Sequence, residues 1–98
     1  MPYKELEGNV IGGVWRGQEP AKELIYFQIE GQDKWFRLEY TGDLMLERAN
    51  YMSEKLKKKA ESGSGIEVGL EYDELSVGDA PHSPATTFNL VSYIQIRV

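Results

Sequence analysis

The sequence predicts a mainly β chain with one amphipathic helix, its five strands rolled into a small antiparallel barrel. Three observations carry that prediction. Runs rich in aromatic and β-branched residues alternate with the period of two expected of half-buried strands. Only one stretch has helical spacing. A pair of glycines interrupts the first strand, where a small barrel has to bend.

The first strand lies within Glu7 to Gly17, E-G-N-V-I-G-G-V-W-R-G. Val10, Ile11, Val14 and Trp15 favour a strand, and Gly12-Gly13 marks a bulge or sharp bend. A strand bent at its middle can serve both sides of a barrel. A glycine-rich phosphate cradle would need a helix after the glycines. Val14-Trp15-Arg16 continues as strand instead. Gln18-Glu19-Pro20-Ala21 then reads as a loop, with Pro20 closing the strand.

Lys22 to Tyr40 reads as a β-hairpin around the turn-forming Gly31-Gln32-Asp33. Ile25, Phe27, Ile29, Phe36, Leu38 and Tyr40 share one face and form a core. The other face is mixed: Leu24, Tyr26, Gln28 and Glu30 beside Trp35, Arg37 and Glu39. After Thr41-Gly42-Asp43, a helix over 44–61 has Asp43 as its expected N-cap. Met45, Ala49, Met52, Leu56 and Ala60 form its apolar stripe, which Leu44 and Tyr51 widen. Lys55, Lys57, Lys58 and Lys59 read as a solvated face that complements the helix dipole, rather than as a nucleic-acid patch. Met45 and Met52 read as core filler. Ser62-Gly63 stops the helix.

Ile66 to Asp73 alternates cleanly: Ile66, Val68, Leu70 and Tyr72 inward, Glu67, Gly69, Glu71 and Asp73 outward. The outward ridge is acidic. Residues 74–87 form a long irregular loop broken by Gly78, Pro81 and Pro84. The last strand, 88–98, is expected to place Phe88, Leu90, Ile94 and Ile96 inward. Asn89, Val91, Tyr93, Gln95 and Arg97 then face outward. The order β-β-β-α-β-β, with a kink in the first strand, resembles an OB-type barrel. An open α+β sheet with the helix on one face is the rival. The 98 residues read as a single domain, 1–98.

Composition narrows function more by exclusion than by assignment. There is no cysteine, which removes disulfides and thiolate chemistry. No apolar run is long enough to span a membrane, and the N-terminal residues lack a secretory pattern. A cytoplasmic, membrane-free protein is the expectation. Eleven basic against sixteen acidic residues give a net charge of −5, which disfavours broad phosphate binding. His82 beside Ser83 does not make a catalytic triad, because a triad needs three convergent groups at a rigid site. The spacing of Asp73, Glu74, Asp79 and His82 matches no metal-ligand pattern. No enzyme, cofactor or metal is expected.

A binding module remains. Tyr26, Trp35 and Arg37 are residue types that anchor protein interfaces. Glu39, Glu67 and Glu71, with Glu30 beside them, would steer a basic protein partner toward such anchors. An inhibitor or antagonist that masks a basic surface fits this charge and size. The alternative is an OB-like stacking platform for single-stranded nucleic acid on the same aromatic and arginine face. A third reading has Trp35 in a second small core. Homodimerisation through a sheet face or the last strand stays open.

Overall fold

Among the described residues, each strand finds two hydrogen-bonded neighbours, so the sheet closes into a ring. In the computed structural model, which describes residues 4–62, 67–73 and 88–96, the chain is mainly strand with one helix. β1 (Lys4–Glu19), β2 (Lys22–Ile29), β3 (Trp35–Tyr40), α1 (Met45–Ser62), β4 (Glu67–Asp73) and β5 (Phe88–Ile96) follow in sequence. Hydrogen bonding runs round a ring in the order β1-β2-β3-β5-β4 and closes where β4 pairs with β1. The open sheet kept as a rival is not what forms.

The expectation of an all-antiparallel arrangement needs correcting. β3 and β5 are parallel, pairing Trp35 with Phe88 and Arg37 with Leu90, so the sheet is mixed. Parity requires this. A ring of five strands cannot reverse direction at every seam, and the one parallel seam falls where α1 and β4 separate β3 from β5 in sequence.

β1 serves two neighbours, as its glycines suggest. Lys4 to Asn9 pair with β4, and Val10 to Glu19 pair with β2. Between Ile11 and Trp15 the strand advances four residues while β2 advances only two, from Gln28 to Tyr26. The surplus lies beside Gly12-Gly13, which accommodate the bend. Glu19 still pairs with Lys22, so the expected loop shrinks to Pro20-Ala21, with Ala21 at φ 65°. Gly8 lets two layers close, because a Cβ there would sit 2.6 Å from Ile29 Cγ2.

The core inside the ring matches the hairpin alternation. Ile25, Phe27, Ile29, Phe36 and Leu38 are buried with Val10, Val68, Leu70 and Tyr72. Phe27 stacks on Phe36 at 5.8 Å, and Phe36 meets Tyr72 edge-on at 5.2 Å. Each such pair adds about 0.5–1.5 kcal/mol beyond area burial. The hairpin turn has Gly31 at φ 86°, with Gln32 N donating to Ile29 O at 3.0 Å.

α1 covers this core with Ala49 and Leu56 fully buried, and Ser53 lies between them. Met52 packs at the margin. Leu44 and Tyr51 do not widen the buried stripe: both are exposed, as is Leu46. A polar clamp fixes the helix to the sheet. Arg16 Nη1 donates to Asn50 Oδ1 at 2.6 Å, and Arg16 Nη2 pairs with Glu23 Oε1 at 2.8 Å. Gln18 Nε2 donates to the other Glu23 oxygen at 2.8 Å, so the buried carboxylate is satisfied on both sides.

β5 departs most from its expected pattern. Glu71 pairs with Tyr93 but Tyr72 pairs with Val91, leaving Ser92 as an extra residue in a bulge. Its hydroxyl donates to Glu71 O at 3.1 Å. A one-residue insertion reverses the facing of everything before it. Val91 therefore joins the main core, while Phe88 and Leu90 turn to the other side. Ile94 and Ile96 face inward as expected. Ile66, Arg97, the 74–87 loop and the His82–Ser83 pair lie outside the described residues.

Candidate functional site

The six residues expected to bind a partner fall into two separate places. Tyr26, Trp35, Arg37 and Glu39 lie on the outer face of β2 and β3. Glu71 lies on β4, across the ring, and the side chain of Glu67 is outside the description. The five whose side chains are described do not share one platform.

On the hairpin side, Leu24, Tyr26 and Phe88 form a second apolar cluster, with Trp35 and Leu90 packed against it. The turned-out residues of β5 complete this cluster. Tyr26 is 1% exposed and meets Phe88 edge-on at 6.1 Å. Arg37 is 5% exposed and lies over the Phe88 ring at 4.8 Å. Its guanidinium pairs with Glu39 at 2.7 Å and Glu19 at 3.4 Å, and donates to the Tyr26 hydroxyl at 3.2 Å. Lys22 reaches the other Glu39 oxygen at 3.2 Å. Two cations thus meet two carboxylates, and the charge of Arg37 is engaged within the fold.

The β4 side has the opposite electrostatics. β1 and β4 place Glu5 directly opposite Glu71, and Glu7 opposite Gly69. On the far side, Glu71 faces Tyr93 and Gly69 faces Gln95. These residues, with Leu6 and Leu70, line a shallow hollow of about 90 Å³. Facing residues on antiparallel strands bring their Cβ atoms to roughly 5 Å, where like charges destabilise the pair. Neither Glu5 nor Glu71 forms an ion pair with a described residue. Tyr93 stands exposed at the rim. Sequence reasoning identified Glu71 but missed Glu5, Glu7 and Tyr93. Only the β1–β4 and β4–β5 pairings bring them together, and no local pattern encodes either.

A third surface lies along α1. Tyr40, Leu44, Tyr51 and Met52, with Glu47 and Arg48, line an open and largely apolar groove of about 510 Å³. Burial pushes the Tyr40 hydroxyl pKa up, and the nearby Arg48 charge partly opposes that shift.

Among the described residues, no group of three or more His, Asp or Glu is placed to hold a metal ion. No described helix is long and apolar enough to cross a membrane. Comparison with known protein families, with curated proteins and with solved structures found no match.

Proposed function

We propose that the chain is a non-catalytic, OB-type binding module that engages a basic protein surface through the outer face of β1, β4 and β5. The β1-β2-β3-β5-β4 ring, the bent first strand and the helix between β3 and β4 support the OB-type reading. One observation carries the function: Glu5 faces Glu71 across paired strands, and neither meets a described cation. Lysine or arginine side chains of a partner would relieve that repulsion, and Tyr93 would supply an adjoining aromatic contact. An inhibitor that masks a basic surface is the role this chemistry suits best.

Single-stranded nucleic acid on the β2–β3 face is the weaker reading. Tyr26 has almost no accessible ring surface for stacking, and Arg37 is held by Glu19 and Glu39. Two arms test the choice. In the first, a partner is captured from cell extract and titrated against the wild-type chain and Glu5→Lys/Glu71→Lys. Saturable, salt-sensitive binding that weakens about tenfold or more in the variant is expected. In the second, tryptophan fluorescence is followed while single-stranded DNA and RNA are added at low salt. Saturable quenching there, abolished by Trp35→Ala, would move the function to the hairpin face.

A further inference from the structure

The outward flank of α1 is complementary to itself. Seen along the helix, Leu44, Glu47, Arg48, Tyr51, Glu54 and Lys55 share one side, and all six are exposed. Leu44 and Tyr51 are 53% and 63% exposed, and they border the apolar groove that also contains Tyr40 and Met52. The charges on this flank alternate about Tyr51: Glu47 and Arg48 lie before it, Glu54 and Lys55 after it. Lys55 Nζ stands 5.2 Å from the Tyr51 ring centroid, holding a cation beside the aromatic.

From this arrangement we infer that a second copy of the chain docks here, α1 against α1, antiparallel about a two-fold axis at Tyr51. Under that symmetry the residue as far before Tyr51 as another is after it becomes its partner. Glu47 then faces Lys55 of the second copy, four residues on either side of the axis. Arg48 faces Glu54 in the same way, three residues on either side. Each pair occurs twice, as an isologous interface demands. The antiparallel arrangement sets opposite ends of the two helix dipoles side by side. The apolar centre comes from both Tyr51 rings with the adjoining Met52, while Leu44, seven residues before the axis, faces Lys58 of the second copy. Parallel docking would set Glu47 against Glu47 and Lys55 against Lys55. The charge order therefore selects the orientation as well as the partner.

This surface is separate from the acidic β1–β4–β5 face, so the two readings can fail independently. Sedimentation velocity over a concentration series, at low and moderate salt, measures the association. The wild-type chain is expected to dimerise reversibly, and more weakly as salt rises. Glu47→Lys and Lys55→Glu, both exposed substitutions, are each expected to weaken the dimer about tenfold or more, because each creates like-charge contacts twice. The double variant Glu47→Lys/Lys55→Glu exchanges the pairs and is expected to restore association. A wild-type chain that stays monomeric to about millimolar concentration, the weak end of measurable association, overturns the inference. So does a dimer that the single variants leave unchanged, or one that the exchange fails to restore.

Discussion

The two faces outside the ring use similar residue types to opposite ends. On β2, β3 and the end of β1, Arg37 and Lys22 are interleaved with Glu19 and Glu39, and an aromatic cluster packs beside them. On β1 and β4, Glu5 and Glu71 stand opposite each other beside an exposed tyrosine. The first arrangement satisfies its charges internally and is a piece of structure. The second leaves Glu5 and Glu71 without an ion pair to any described residue. An aromatic–arginine cluster in a sequence is therefore a poor guide to a binding surface unless the countercharges around it are known.

The largest expected effect comes from breaking the matched face. Arg37→Ala removes the guanidinium from two carboxylates, the Tyr26 hydroxyl and the Phe88 ring at once. A loss of about 2–4 kcal/mol is expected, below the figure for a fully buried pair because Glu19 and Glu39 keep some contact with water. Urea denaturation should show this as a lower midpoint with an unchanged slope. Arg37→Lys should recover only part of it, since an ammonium cannot fork between Tyr26 and Glu39. A variant as stable as wild type would mean that the matched face is not structural.

A smaller effect of opposite sign is expected on the unmatched face. Glu71→Lys puts a cation opposite Glu5 and should stabilise the chain by roughly 0.2–1 kcal/mol. The same substitution should weaken capture of a basic partner. Stability gained as binding is lost is what a surface kept for a partner would show. If stability falls instead, the Glu5–Glu71 contact is not repulsive and the contrast between the faces disappears.

What the sequence makes legible follows the range of the interactions. Alternation fixes the inner residues of the hairpin, and helical spacing picks out Ala49 and Leu56. The glycine pair marks the bend in β1. Those signals are local. The parallel β3–β5 seam and the β1–β4 closure depend on strands distant in sequence. Glu5 therefore carries no sign of its opposite number. Ser92 is a subtler case: F-N-L-V-S-Y-I-Q-I alternates plausibly in one register throughout, and only pairing with β4 exposes the extra residue. That single insertion turns Phe88 toward Tyr26 and Arg37, converting a candidate platform into a second core.

The smallest expected effect tests whether the helix flank is as loosely held as its exposed residues imply. Tyr40 sits where β3 meets the α1 groove, and burial raises its pKa above the ordinary 10.0. The folded chain therefore retains the Tyr40 proton at pH values where the unfolded chain has begun to lose it. That contribution is fully present below about pH 10 and is lost as pH rises through the folded value. Thermal melts of wild type and Tyr40→Phe should run parallel at neutral pH, then converge or cross above pH 10 as only the wild type loses this term. Curves that remain parallel through the alkaline limb would place Tyr40 in contact with water in the folded state.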